Sequence, residues 1–578
     1  MTNREISIIF SRIGDILEIK SENVFRVRAY RTAAQNIMGL ARELSDIYAA
    51  NPEDLENIPG IGKDLKEKII EMISTGKLKY YEALAREFPK GFLDMLSLSG
   101  LGPKKLKKLR DEIKIKNVDD LEKACKKGKL ENIEGMGAKT QEKLLGAIEH
   151  FRKREGRMLL PEADEWAGKI VSYLKKDKNF KKIEKAGSLR RGKETVGDID
   201  ILTTAARSKK AMDRFTSYPE TESIIAKGMT KASIQVTEGP QVDLRVVDAK
   251  CFGAALQYFT GSKQHSVEVR KIAKGKGYKV SEYGVFSVDK KTGRERMAAG
   301  KTEEKVYKKL GMEWIPPELR ENRGEIEAAI KGTLPKNLIK LSDIKGDLHL
   351  HSVASDGNAR VEELASQAKK KGYEYIAVTD HSKLIKIANG MDEKRLLKHA
   401  DRVRKLDKKI KGIKILVGIE VDILEDGKLD LEDYALREMD IVIAAIHSRF
   451  ALPKEKQTAR ILKGLDNKYV NALAHPSGRL ITRRTGLNFD LDKVFSKAAE
   501  ENIFLEINTH GERIDLNDLN CRRAGELGAR FMISTDAHDI SQMDLVKYGV
   551  ITARRGWLER KDVLNTYPLE KMLKELKK

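Results

Sequence analysis

Asp198 and Asp200 stand two residues apart in Val196-Gly197-Asp198-Ile199-Asp200-Ile201-Leu202. Strand alternation would send both carboxylates out of one face. Carboxylates held that close repel unless a divalent cation neutralises them. Just upstream, Gly187-Ser188-Leu189-Arg190-Arg191-Gly192 reads as the opening of a helix whose free backbone N–H groups face an anion, with Arg190, Arg191 and Lys193 nearby. A third acid, Asp243, lies in the alternating run from Gln241 to Val247. A phosphate cradle beside a cation-holding pair suits nucleotidyl transfer.

A second constellation fills the C-terminal third. Six of the ten histidines (His349, His351, His381, His447, His475 and His538) fall at the ends of short apolar runs. Asp380, Glu420, Asp422, Glu506 and Asp536 accompany them, while His150, His265, His399 and His510 stand outside the pattern. Nitrogen and carboxylate ligands without thiolate suit Zn²⁺, Mn²⁺ or Fe²⁺. Several such ions side by side would polarise a phosphate ester and stabilise its leaving oxygen.

The elements that must position these residues are legible in outline. Runs at 376–379, 415–418, 441–444, 469–472, 503–507 and 531–534 read as strands, separated by amphipathic helices such as 362–371 and 393–411. That alternation predicts a parallel α/β barrel, which carries chemistry at the C-terminal ends of its strands. Residues 1–80 read as helices, and 282–283 with 285–288 as late strands. A cadence recurs as Ile58-Pro59-Gly60-Ile61-Gly62, Leu98-Ser99-Gly100-Leu101-Gly102 and Ile133-Glu134-Gly135-Met136-Gly137. Each copy reads as a Gly-x-Gly hairpin opening a lysine-bearing helix, a device that aims backbone N–H groups at a phosphate without reading sequence.

At 578 residues the chain is expected to form several domains. Its formal net charge is +23, of which +18 lies in residues 1–340, the footprint of a polyanion partner. Three scattered cysteines (Cys125, Cys251, Cys521) indicate neither a disulfide framework nor a thiolate zinc site. No run of about 18 apolar residues exists, and Met1 to Phe10 lacks a signal-peptide pattern, so an intracellular, cytoplasmic protein without membrane attachment is expected.

Gly-Ser-x-Arg-Arg-Gly, Gly-Asp-x-Asp, the later lone Asp243 and Tyr258-Phe259-Thr260-Gly261-Ser262 together resemble DNA polymerase family X, the DNA polymerase beta family. The resemblance implies that Asp198, Asp200 and Asp243 are catalytic and hold two Mg²⁺ or Mn²⁺ ions. It assigns Ser188 and Arg191 to the incoming triphosphate, Tyr258, Phe259 and Gly261 to the sugar side, and Lys263 and Arg270 to the nucleotide and template side. Ser266 departs from the family's asparagine. The three hairpins resemble helix-hairpin-helix modules, which implies DNA contacts at Gly60, Gly62, Gly100, Gly102, Gly135 and Gly137. The first 80 residues resemble the eight-kilodalton domain, which puts Arg26 and Tyr30 near a 5′-phosphate and Lys68 at the Schiff-base lysine of a lyase; on this lysine-rich helix a solvated charge face is the alternative.

His349-x-His351, Asp356-Gly357, Thr379-Asp380-His381, Gly418-Ile419-Glu420, Ala474-His475-Pro476 and Asp536-Ala537-His538 resemble the PHP (polymerase and histidinol phosphatase) domain. Nine metal ligands are implied: His349, His351, Asp356, His381, Glu420, His447, His475, Asp536 and His538, for three Zn²⁺ or Mn²⁺ ions. The fold expected is multidomain α/β. It comprises a helical eight-kilodalton-like domain (1–80), a helical fingers-like domain (81–155), a nucleotidyltransferase α+β palm (156–250), a thumb-like domain (251–320), a linker (321–343) and a distorted seven-stranded PHP barrel (344–578). Implied are gap-filling DNA synthesis in base excision repair and a 3′–5′ exonuclease, in some members with abasic-site cleavage. The expected partners are gapped DNA and deoxynucleoside triphosphates, with a monomeric protein. The rivals are a phosphoesterase of small monoesters with an inactive front portion and a non-catalytic DNA-end scaffold.

Overall fold

The computed structural model describes the chain except for residues 2, 39–43, 90, 99–100, 131–132, 134, 155–156, 290–291, 482 and 578. Its first helix, Asn3–Ile19, buries Ile6, Phe10, Ile13, Ile16 and Leu17, a helical stripe that packs on Val24–Met38 and shares one apolar cluster with Leu65, Ile69 and Met72 of Lys63–Thr75. A second helical cluster, built on Leu98, Leu101, Leu106, Leu109, Leu121, Ile133 and Met136, follows. The hairpins are built alike. Ile61 N–H donates to Ile58 O (3.0 Å), Leu101 to Leu98 (3.1 Å) and Met136 to Ile133 (2.9 Å), with all six side chains buried. Gly62 and Gly102 are the N-caps of Lys63–Thr75 and Pro103–Ile113.

Next comes a five-stranded sheet of β1 (Phe180–Lys185), β2 (Ile199–Ala205), β3 (Thr221–Lys227), β4 (Lys231–Val236) and β5 (Gln241–Val246), in the order β1-β2-β5-β4-β3. Only β2 and β5 run parallel, and their register sets Asp200 opposite Asp243. Strand β2 begins at Ile199, so Asp198 lies in the bend before it and is exposed; the expected strand alternation covers Asp200 but not Asp198. A small antiparallel sheet follows, of β6 (Tyr278–Ser281), β7 (Gly284–Val288) and β8 (Glu295–Ala299). Glu282 and Tyr283, expected in a strand, form the turn between β6 and β7, where Ser281 pairs with Gly284.

The segment read as a linker is packed. Within 321–343, Ile326, Ala328, Ala329, Leu334 and Leu338 join one apolar cluster with Ala254, Val269, Val306 and Leu319. The segment contains the short helix Glu325–Lys331, whose apolar face is buried there, ahead of the Gly/Pro break.

The C-terminal region is a parallel seven-stranded sheet in sequential order: β9 (Gly346–Leu350), β10 (Tyr375–Val378), β11 (Lys414–Asp422), β12 (Ile441–Ala445), β13 (Ala472–Leu473), β14 (Phe504–Asn508) and β15 (Phe531–Ser534). Leu350 bridges Ala537 in parallel, drawing the first strand to the last. Helices cover the outside, so nearly every strand residue is buried, as parallel sheets require. The run expected at 469–472 is strand only at Ala472–Leu473. The barrel abuts the five-stranded domain through loops that follow its strands and through the helix Val546–Arg555. Ile481, Ile514 and Tyr548 complete that domain's core, and Arg479 pairs with Glu194 at 2.7 Å. No helix among the described residues is long and apolar enough to cross a membrane.

Candidate metal centre and nucleotide site

The barrel gathers all nine expected ligand residues at the C-terminal ends of its strands. Three groups have ligand atoms within 4.8 Å of one another: His351, Asp356, His381 and His538; His349, His351 and Asp536; His381, Glu420 and His447. The groups share His351 and His381, so they form one cluster with three adjoining lobes. His475 joins through Glu420 Oε1, 3.0 Å from its Nε2. Glu420 is central, with His381 Nδ1 at 2.7 Å, His447 Nε2 at 3.4 Å and His349 Nε2 at 3.5 Å. Two of the expected ligands, His475 (φ +28) and Asp536 (φ +53), hold left-handed backbone conformations that side chains rarely adopt.

The donor set fits divalent metal. His349 Nε2, both ring nitrogens of His351, His381 Nδ1 and Glu420 Oε2 are buried and make no hydrogen bond, although they crowd one another. Orphaned buried polar atoms are costly, and five aimed at one place are explained by cations between them. Burial, with His538 and His381 alongside, pushes His351 down to about 4; burial and Arg513 push His475 down to about 3. Both are thereby kept as the neutral imidazoles that coordination needs. Burial raises Asp356, but His538 and His381 outweigh it and hold the carboxyl at about 2.

Orienting groups stand behind the ligands. Glu506 is fully buried and accepts from His349 Nδ1 (2.7 Å) and from the His475 backbone N–H (2.6 Å). Asp422 lies 3.2 Å from His447 Nδ1. Asp380 accepts from the Ser352 backbone N–H (2.8 Å), Ser352 Oγ (2.7 Å) and Ser355 Oγ (2.6 Å), fixing the loop that carries Asp356. His399, outside the sequence pattern, sits 3.1 Å from Asp380, and His510 is half-buried within electrostatic reach of Asp536. Their type was visible in the sequence; their partners were not.

In the five-stranded domain Gly187 (φ +59) has no room for a Cβ, because the Asp200 carboxylate lies where that atom would go. Burial, with Asp198 and Asp243 close by, pushes Asp200 up to about 7. Burial also raises Asp243, but hydrogen bonds from Gln241 (3.0 Å), Lys231 and Ser233 outweigh it and hold that carboxyl low. Lys231 Nζ lies 3.0 Å from Asp243 Oδ2. Among the described residues the three aspartates do not converge within 4.8 Å as the barrel ligands do. Mutual repulsion and the hold of Lys231 account for the spread, and a raised carboxyl of this kind is what a cation would lower.

Ser188 lies on the one-turn helix Gly187–Arg190. Arg190, expected near a phosphate, instead donates to Glu303 through Nη1 and Nη2 (2.8 Å each) and to Thr260 Oγ1 (2.6 Å). Glu303 is partnered also by fully buried Arg320, 2.6 Å away. Arg191 donates from Nη1 to Thr260 O and packs on Gly261. Those contacts bring the cradle against Tyr258, Phe259 and Gly261; the two aromatic rings are edge-on at 5.1 Å, with Arg245 4.3 Å over Phe259. Lys263 and Arg270 are exposed on the next helix. The Ser266 hydroxyl is buried with no hydrogen-bond partner.

In the helical hairpins, Gly62, Gly102, Gly135 and Gly137 face open space, whereas a Cβ on Gly60 (φ +81) would touch Thr32 and Asn36. Gly100 lies outside the described residues. Arg26, Tyr30 and Lys68 meet around Tyr80, which the sequence did not single out. Arg26 Nη2 donates to its hydroxyl (3.0 Å), Tyr30 stacks on its ring at 6.3 Å and Lys68 Nζ sits 5.2 Å over it. Lys68 is also paired with Asp64.

Comparison with known proteins follows the same division. Family models match residues 1–78 (helix-hairpin-helix domain), 92–149 (SAM-like helix-hairpin-helix tandem), 255–321 (DNA polymerase beta thumb) and 347–510 (PHP domain). The chain is 38% identical over 572 residues to the Bacillus subtilis strain 168 protein named DNA polymerase/3′-5′ exonuclease PolX, covering 99% of this chain and 98% of the relative. A probable phosphatase of Thermoanaerobacter sp. strain X514 is 30% identical over 246 residues, 40% of this chain and 95% of the relative. Another, from Acetivibrio thermocellus, is 32% identical over 202 residues, 33% of this chain and 78% of the relative.

Proposed function

The chain belongs to the family of the bacterial DNA polymerase/3′-5′ exonuclease PolX, and from that premise we propose a gap-filling repair polymerase with its own metal-dependent nuclease. It is a DNA-directed DNA polymerase and a 3′–5′ exonuclease. The observation that carries this reading is the presence in one chain of two separate acidic centres, Asp200 opposite Asp243 beside a phosphate cradle, and nine intact ligands in the barrel.

Asp198, Asp200 and Asp243 hold two Mg²⁺ or Mn²⁺ ions for synthesis, and the nine barrel residues hold three Zn²⁺ or Mn²⁺ ions for hydrolysis. When bound, the ions supply Lewis-acid polarisation of a phosphate and neutralise the leaving oxygen. Ser188 and Arg191 bind the triphosphate, Tyr258 and Phe259 flank the sugar, and Gly261 lets Arg191 close on the Thr260 carbonyl. Lys263 and Arg270 face the nucleotide and template. In the barrel, Glu506 and Asp422 orient His349 and His447. The domain divisions at 1–80, 81–155, 156–250, 251–320, 321–343 and 344–578 serve as working boundaries, with 326–338 packed beside the thumb-like part. The hairpin glycines and the Arg26, Tyr30, Tyr80 and Lys68 group grip the DNA backbone on both sides of a gap. A cytoplasmic monomer is the working assignment.

The test is extension and shortening of a labelled primer in a gapped duplex with Mg²⁺ or Mn²⁺. Asp198→Ala with Asp200→Ala abolishes extension and keeps shortening; His349→Ala with His351→Ala does the reverse. Wild-type protein that neither extends nor shortens DNA refutes the proposal. The barrel's kinship with probable phosphatases makes small phosphate monoesters the substrates to try in that event.

A further inference from the structure

Five charged side chains alternate in sign from the nucleotide cradle into the barrel. Arg191 Nε donates to Glu321 Oε1 (3.0 Å). Arg555 Nη1 donates to that same oxygen (3.1 Å) and to the Arg191 carbonyl (2.6 Å). Its Nη2 donates to Asp518 Oδ2 (2.7 Å), which also accepts from Arg323 Nη1 (3.0 Å). Arg555 and Asp518 belong to the barrel helices Val546–Arg555 and Asp518–Glu526, Arg191 to the five-stranded domain. Arg555 is 3% exposed, Glu321 12% and Arg191 13%. Gly192 (φ +65) has no room for a Cβ, because Ile551 of the same barrel helix lies against it.

Glu321 occupies Nε of Arg191 and the Thr260 carbonyl occupies Nη1, while Nη2 donates no hydrogen bond among the described residues. A free arginine swings over many rotamers and must be ordered when it binds. Here the guanidinium is already ordered. Glu321 by itself would close on it with both carboxylate oxygens in the usual fork. Arg555 shares the Glu321 charge and limits it to one bond.

We propose that Arg555, a residue of the nuclease barrel, is a positioning residue of the polymerase nucleotide site. Through Glu321 and the Arg191 carbonyl it holds Arg191 with one nitrogen presented to the triphosphate. The inference rests on the assignment of Arg191 to the triphosphate. It makes nucleotide affinity depend on the barrel while hydrolysis at the metal cluster does not depend on this row of charges.

The experiment measures KM and kcat for a deoxynucleoside triphosphate in gap filling, and exonuclease rate on the same DNA, with the full-length chain. Arg555→Ala and Glu321→Ala raise KM roughly tenfold, with kcat and exonuclease rate within about twofold of wild type. In an Arg191→Ala background, which itself raises KM, Arg555→Ala adds nothing further; a merely structural role would add its effect there too. Arg555→Lys, which keeps the charge but cannot serve both Glu321 and Asp518 with a planar fork, raises KM as well and decides the matter if Arg555→Ala does not fold. Unchanged KM in the Arg555 variants beside a raised KM in Arg191→Ala overturns the inference. A lowered KM in Glu321→Ala also overturns it, since Glu321 would then be a competitor of the triphosphate. If Arg191→Ala leaves KM unchanged, the assignment of Arg191 fails instead.

Discussion

Replacing Glu506 by glutamine tests whether the carboxylate behind the metal cluster governs metal affinity. Glu506 is fully buried, and its two oxygens are used by different donors, His349 Nδ1 at 2.7 Å and the His475 N–H at 2.6 Å. Glutamine keeps the shape but offers one acceptor where two are needed. Its amide nitrogen must then face either the imidazole or the backbone N–H, leaving two donors opposed. Losing one charge-assisted hydrogen bond at a buried group costs about 1.5–3 kcal/mol. Loss of an orienting carboxylate behind a ligating histidine weakens metal binding by about 10–100-fold, or about 1.4–2.7 kcal/mol. The two estimates overlap, so a fall of about 30-fold in Zn²⁺ or Mn²⁺ affinity at the barrel is expected. Competition against a chromophoric chelator measures it, with circular dichroism to verify the fold. Primer extension in Mg²⁺ stays within about twofold of wild type, because Glu506 lies in the barrel. Metal affinity within twofold of wild type in correctly folded Glu506→Gln would refute the reasoning, and His349 would then be oriented by something other than this carboxylate.

Other perturbations follow from the same geometry. Burial and its two acidic neighbours raise Asp200 to about 7. The folded state therefore holds that proton more tightly than the unfolded chain, and stability of the metal-free protein falls as pH rises from about 4 through 7. Asp200→Asn removes that loss and stabilises metal-free protein at pH 8 by up to roughly 4 kcal/mol, read by urea denaturation; an unchanged or lower midpoint contradicts the repulsion argument. Gly187→Ala drives a methyl group into the Asp200 carboxylate from a left-handed backbone position, so extension falls by at least about 100-fold while primer shortening persists. Alanine at Gly62, Gly102 and Gly137 together lowers the thermal midpoint by only a few degrees, since each Cβ meets open space and the loss is confined to the N-cap preference for glycine over alanine at 62 and 102. The same triple variant binds gapped DNA more weakly on every sequence tested, as expected for backbone N–H groups kept from phosphates.

The sequence by itself determined the features written in local pattern. Gly60 (φ +81) and Gly135 (φ +80) specify turns through the left-handed backbone that glycine favours, and Gly62, Gly102 and Gly137 stand immediately before helices, so the hairpin repeat was readable without tertiary information. Histidines placed just after apolar runs pointed to one rim of a barrel, because parallel strands closed into a barrel bring their C-terminal ends together wherever the chain lies between them. The alternation of Gln241 to Val246 likewise identified Asp243 as a strand neighbour for Asp200. What the sequence left open is pairing between residues far apart along the chain. Arg190 turns to Glu303, 113 residues away, and Arg555 reaches the Arg191 carbonyl across 364. No periodicity encodes such partners. Only packing decided that Lys231 holds Asp243, that Tyr80 gathers Arg26, Tyr30 and Lys68, that Glu506 and Asp422 stand behind histidines, and that Ile326, Leu334 and Leu338 are core. Apolar burial fixes where backbones meet, and each buried charge then takes the opposite charge that the meeting brings within reach.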